Sequence, residues 1–424
     1  MAIMTNSLLF DILKDQVTPA LGCTEPIAVA LAVAKAKETL GSLPERLEIK
    51  VDRNIFKNAL AVGIPKTKEK GLYMAAALAL VAGKSKYKLE VLKDITEEDI
   101  LEAGKIVDSN IIHVDIAKEK IGLYVEVTAI SGKEESKVII KDKHDNIVLV
   151  EKNGEVIFNQ EAKNTDKFSL RESIKGMKIR DLVEFATQVE VSSLELVDEG
   201  IKMNKKMAEA GMDSKYGRAL SGGTLIDEMN YREYAKYLTA VASYARMSGY
   251  PLPVMSCAGS GNHGLTAILP VVAVGEKKGI SYDKIVRAVT LSLLVTIYVK
   301  SYTGTLSPVC GCGVAAGVGA GAGVTYMLGG NLEQIEGSIK NMIGTMAGII
   351  CDGGKPGCAF KLAISVDAAL ESALMALNGV VISPDDGIVD ETAEKTIQNL
   401  GKVSTDGMIN TDETILEVML GKCR

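Results

Sequence analysis

Tryptophan is absent from this 424-residue chain, and Phe (6) and Tyr (13) are sparse. So few aromatics leave no platform on which bases could stack. Basic charge is not in excess either: 48 Lys and Arg face 54 Asp and Glu, a net charge of -6. That balance argues against nucleic acid or an anionic membrane surface as partner. The opening MAIMTNSLLFDILKDQ has no basic start, long apolar stretch or small-residue cleavage site, so it does not read as a signal peptide. The longest charge-free run, 301–332, holds nine glycines together with Pro308, Cys310 and Cys312. A lipid-facing helix is rarely so dense in glycine. The run reads as buried core, and the expected location is cytoplasmic.

What is present is an ordinary globular balance, 47% apolar and 24% charged, in a chain long enough for two or three domains. Residues 6–40 pattern as two helices, separated by Pro19 and by Gly22-Cys-Thr-Glu-Pro26. From Leu47 the short β-branched runs LEIKVDRN, YVEVTAIS, SKVIIKD and NIVLVEKNGEVIF read as strands, with helices over 71–82 and 97–105 between them. Beyond about Asp166 the pattern is helical: 179–210 (two helices), 230–248, 265–274, 284–299, 332–350 and 360–377, separated by Gly-rich breaks. The expectation is an α+β fold. N-terminal helices (1–44) dock on an all-helical C-terminal domain (166–424), and an α+β domain (45–165) lies between them in sequence. Loops on such a helical scaffold are favoured places for chemistry.

The alternating glycines 317, 319, 321 and 323 lack the G-x-G-x-x-G spacing and the preceding strand of a dinucleotide loop. At helical spacing Gly313, Gly317 and Gly321 share a stripe, which predicts a helix that others approach closely. The seven cysteines are 23, 257, 310, 312, 351, 358 and 423. An odd number in a long chain does not suit a secreted disulfide framework. Cys310-Gly-Cys312 and Cys351-Asp-Gly-Gly-Lys-Pro-Gly-Cys358 flank a helix hairpin that would return its far end to its start. Thiolates converging there suit an iron–sulfur cluster or zinc, although C-x-C and C-x6-C match neither a zinc ribbon nor a ferredoxin run.

Cys23 precedes the Pro26-led helix, where the dipole should lower its thiol and make it a nucleophile, proton acceptor or further ligand. Ser260, Asn262 and His263 stand at the start of an apolar helix and could seat a carboxylate. His113 and His144 read as structural. Arg53-Asn54, Lys57-Asn58 and Gly63–Thr67 could add polar contacts from the α+β domain.

Together Gly22-Cys-Thr-Glu-Pro26, Lys57-Asn58 with Gly63-Ile-Pro65, Pro251–Ser256 leading into Ser260–Gly264, Cys310–Gly313 and Cys351–Gly354 resemble the L-cysteine desulfidase family. That family is related to the alpha-chain region of iron–sulfur L-serine dehydratases. The resemblance implies a lyase with an oxygen-sensitive [4Fe–4S] cluster on three cysteines, one iron left open, and no pyridoxal phosphate. Cys351 and Cys358 map as ligands, with Cys310 or Cys312 the third; spacing in the related dehydratases favours Cys310. Cys423 could imitate their C-terminal cysteine. It further implies β-elimination from a small amino acid, with Cys23 as base and pyruvate, ammonia and, from cysteine, hydrogen sulfide as products. L-Serine dehydration and a non-catalytic metal or redox-sensing protein stay open. A homodimer is allowed by the sequence and not fixed by it.

Overall fold

The computed structural model describes residues 2–120, 122–160 and 170–422; Cys423 lies outside them. The fold is α+β. A six-stranded sheet has the order β3-β2-β4-β5-β6-β7. Its strands are β2 (Arg46–Val51), β3 (Ile112–Ile116), β4 (Tyr124–Ser131), β5 (Glu134–Lys141), β6 (Ile147–Lys152) and β7 (Glu155–Asn159). β2 and β3 run parallel and every other pair is antiparallel. Alternation along β5 sends Ser136, Val138 and Ile140 inward and the residues between them outward, as a half-covered strand requires.

The helix Thr24–Leu40 and the helix Leu72–Ala82 cover the inner face, and their alanines and leucines share one apolar core with β2, β4 and β5. A second core is helical. It gathers the helices Tyr231–Met247, Gly261–Lys277, Tyr282–Thr303, Ala316–Met327 and Leu332–Met346, and also the first helix, Ala2–Gln16, through Leu9, Ile12 and Leu13. The stretch 1–44, expected to dock as a unit on the helical part, therefore divides: its first helix joins the helical core and its second the sheet.

The division is stitched by two strands too short to read from sequence. β1 (Pro19–Leu21) pairs antiparallel with β8 (Pro253–Met255), setting Pro19 opposite Met255. The helix Tyr282–Thr303 alone among the described residues is long and apolar enough to cross a membrane, but 89% of its apolar window is buried inside the molecule. It is a core helix. Beside it, the glycine-rich stretch is helical over Ala316–Met327, as its spacing predicts. A Cβ on Gly319 would overlap Thr296 Oγ1 and the Ser292 carbonyl; on Gly321 it would fall 3.0 Å from Ser338 Oγ. The two glycine stripes let neighbours close in from opposite sides. Helices Arg53–Ala59, Ala393–Lys402 and Thr411–Gly421 fall where the sequence pattern gives no helix.

Candidate active site

The hairpin formed by Ala316–Met327 and Leu332–Met346 returns as its sequence implies. Val309 and Ile350 form an antiparallel bridge. Cys310 N donates to Ile349 O at 2.8 Å and Cys351 N to Pro308 O at 2.7 Å, which sets the two cysteines side by side. The turn after Cys351 folds onto the α+β part. Gly353 adopts a φ of +94°, and Cβ atoms on Gly353 and Gly354 would fall 2.6 Å from the carbonyl oxygens of Lys57 and Asn58. Only glycine allows the loop to approach so closely. Cys358 then opens the helix Cys358–Leu377.

One cavity of about 50 Å³ results, lined by Cys23, Glu25, Asn58, Arg246, Ser260, Asn262, Cys310, Cys312, Cys351, Asp352, Cys358 and Lys361 among others. Its walls come from the N-terminal turn, the α+β part and the helical part. Five of the six described cysteines face it. A hydrogen bond from Cys312 pushes the Cys310 thiol down, against the effect of burial, while Cys312 is pushed up. Burial raises Cys351, and raises Cys358 to about 11. Among the described residues, no three Cys, His, Asp or Glu side chains are grouped as a single ion would need. Sulfur donors lining one cavity are the chemistry that an iron–sulfur cluster, each iron taking its own thiolate, or a zinc ion would use.

Cys23 caps the helix Thr24–Leu40 as expected, yet its thiol is not lowered. Burial raises it well above its ordinary value and the Glu25 carboxylate raises it further. Both effects oppose the helix N-terminus: Cys23 is 5% exposed, and its thiol donates to Glu25 Oε2 at 2.9 Å. Glu25 also accepts from Thr24 Oγ1 at 3.1 Å and from Asn58 Nδ2 at 2.9 Å. Burial pushes its carboxyl up, but His144 and these hydrogen bonds prevail and hold it below the usual range.

The other candidates separate. Ser260 Oγ lies 3.8 Å from Cys312 Sγ, and Asn262 Oδ1 accepts from Arg246 Nη1 at 3.0 Å. His263 does not line the cavity. Its Nδ1 meets Cys257 O at 3.0 Å, and its ring backs Gly311. Lys57 also stands behind the wall, fully buried, donating to Cys351 O at 2.8 Å and Asp412 Oδ1 at 2.5 Å. Arg53 pairs with Glu413 at 3.6 Å, away from the thiols. Pro65 packs under Gly22, so the Gly63–Thr67 turn braces the Cys23 loop. Cys257 is core, and His113 is exposed on β3.

Four further residues bear on the site, none given a role by the sequence: Glu25 and Arg246 line the cavity, and His144 and Lys300 stand outside its lining. Glu25 has a legible signal, an acid opening an otherwise Ala-rich buried helix. His144, read as structural, is 3% exposed; it pulls the Glu25 carboxyl down, while burial holds the imidazole's own pKa below its ordinary value. Arg246, in the last turn of an amphipathic helix, is 2% exposed. Lys300 follows a long apolar run and is 1% exposed; burial first, then Arg171, lowers it to about 8.

Comparison with known proteins adds the family. Residues 86–417 match the family described as serine dehydratase alpha chain. A UPF0597 protein of Clostridium tetani is 55% identical over 419 residues, covering 99% of each chain. Another, of Caldanaerobacter subterraneus, is 52% identical over 416 residues, 98% of each chain. A third, of Clostridioides difficile, is 43% identical, covering 96% of this chain and 98% of its own. The chain belongs to the serine dehydratase alpha chain family, among its UPF0597 proteins.

Proposed function

We propose that the protein is an iron–sulfur-dependent β-eliminating lyase acting on L-cysteine, releasing hydrogen sulfide and leaving pyruvate and ammonia. The observation that carries this reading is the convergence of Cys310, Cys312, Cys351 and Cys358 with the Cys23–Glu25 pair on one cavity. L-Serine dehydration is the second reading, favoured by the family to which the chain belongs. The two substrates differ in one atom, the leaving sulfur or oxygen.

A [4Fe–4S] cluster held by Cys351, Cys358 and Cys310 or Cys312 would supply Lewis-acid stabilisation to the departing sulfur or hydroxide. The chain's own residues handle the proton. Cys23 is the acceptor for the α-proton, and since its thiol is already protonated, that proton passes to Glu25 along the 2.9 Å hydrogen bond as sulfur takes the one from carbon. The electrons of the Cα–H bond become the C=C of aminoacrylate while the leaving group departs with its own pair. Hydrolysis of the imine tautomer gives pyruvate and ammonia. The first turn of the helix Gly261–Lys277, with Ser260 and Asn262, faces the substrate's carboxylate.

An anaerobic assay of iron–sulfide-reconstituted protein with L-cysteine and L-serine in parallel, following sulfide, pyruvate and visible absorption, tests the reading. Sulfide from cysteine that is lost on brief exposure to air supports it. Pyruvate from serine alone replaces the substrate. A colourless, zinc-loaded protein inert to both overturns the lyase reading and leaves a structural or regulatory metal protein.

A further inference from the structure

We infer that Arg246 is the residue that recognises the substrate's α-carboxylate, restricting the cavity to α-amino acids and other small carboxylates. This rests on the lyase reading for its substrate and on the structure for its site. Arg246 lines the thiol cavity yet is 2% exposed. A guanidinium keeps its charge at any working pH, and a buried charge is costly unless something negative meets it. Among the described residues its hydrogen bonds go only to neutral acceptors. Nη1 donates to Asn262 Oδ1 at 3.0 Å and to Met247 Sδ at 3.4 Å, and Nη2 to Gly22 O at 2.6 Å. Nε has no partner.

The position of that cation adds to its charge. A Cβ on Gly261 would fall 2.5 Å from Cζ, so the guanidinium lies against the first turn of the helix Gly261–Lys277. Ser260 occupies the N-cap of that helix, and its side chain makes no hydrogen bond to the turn. The first turn of that helix and a guanidinium held by neutral acceptors thus lie side by side, and a carboxylate is the small group that answers both. The bond from Nη2 to the carbonyl of Gly22 ties this seat to the residue before Cys23. A carboxylate held there brings the α-carbon, one bond away, toward the Cys23 thiol. Asn262, itself a candidate from the sequence, then acts by orienting the guanidinium.

The test compares wild type, Arg246→Gln and Arg246→Lys, all cluster-reconstituted, in two readouts. In thermal unfolding, L-alanine and propionate should raise the wild-type Tm while ethylamine, which lacks the carboxylate, should not. Arg246→Gln should lose the shift and Arg246→Lys keep part of it. In turnover, Arg246→Gln should raise KM for L-cysteine on the order of 10–100-fold, the range of a charge-assisted hydrogen bond, with a smaller change in kcat. Unchanged Tm shifts and KM in an active Arg246→Gln overturn the assignment and leave the lyase reading standing. A wild type inert to all amino acids, with a carboxylate shift lost in Arg246→Gln, keeps the seat and removes the lyase reading. Should neither variant fold, the wild-type arms decide: equal stabilisation by ethylamine and L-alanine overturns the assignment, and carboxylate dependence supports it.

Discussion

A thiol 2.9 Å from an ionised, buried carboxylate keeps its proton until a substrate draws on it. Cys23 and Glu25 therefore act as a pair, and each should be needed. Cys23→Ala and Glu25→Gln are expected to retain the cluster absorption and to lower kcat by about 10²–10⁴, the usual worth of a positioned base. Glu25→Gln has a second signature. The carboxylate raises the Cys23 thiol, so removing its charge should move Cys23 alkylation by iodoacetamide, followed by peptide mass spectrometry, to lower pH. His263 makes the matching statement about stability. Burial and then Lys300 push its pKa down to about 3 from 6.5. The unfolded chain binds the proton more readily between those values, so this contribution is whole above pH 6.5 and is lost as pH falls toward 3. By pH 5 the loss is about 2 kcal/mol. Urea midpoints at pH 7.5 and pH 5 should show an acid loss smaller by about that amount in His263→Asn.

At the scale of elements, the glycine-rich helix makes the sharpest demand. Gly319 faces the helix Tyr282–Thr303 with no room for a methyl group, whereas a Cβ on Gly348 would meet nothing within 4 Å. Gly319→Ala is expected to cost about 1–3 kcal/mol or more by overpacking and Gly348→Ala close to none, read as the difference in urea midpoint. That helix was legible because its glycine spacing is a packing signal independent of partners. The strands β2 and β4 to β7 were legible for a similar reason, since alternation is a local property. β1 and β8 were not: each is three residues long and is a strand only through the other, more than two hundred positions away. The meeting of the cysteine loops at one place was legible because the helix hairpin between them returns its far end to its start. Arg246 was not, since an arginine near the end of an amphipathic helix ordinarily faces water. The Cys23 thiol was misjudged because the helix dipole is visible in sequence while burial and the hydrogen bond to Glu25 depend on the fold.

For the whole molecule, the question is what holds the sheet-bearing and helical parts at a fixed separation, since the cavity takes walls from both. Lys57 and Asp412 supply one answer. Lys57 belongs to the helix Arg53–Ala59 beside the sheet, Asp412 to the C-terminal helix Thr411–Gly421, and both are buried. The ammonium bonds Asp412 at 2.5 Å and, on its other side, the carbonyl of Cys351. One cation thus joins the α+β part, the C-terminal helix and the cysteine loop. A buried pair is weak evidence of net stability, but removing one member strands the other charge at about 3–5 kcal/mol. Asp412→Leu should lose that much in urea unfolding. Lys57→Met leaves the carboxylate and the Cys351 carbonyl unanswered and should also lose stability. The double variant should lose less than the sum of the two, because it leaves no unpaired charge. A purely additive cycle would mean that the pair does not couple the parts, and that the Gly353 and Gly354 contacts with residues 57 and 58 position the cysteine loop without it.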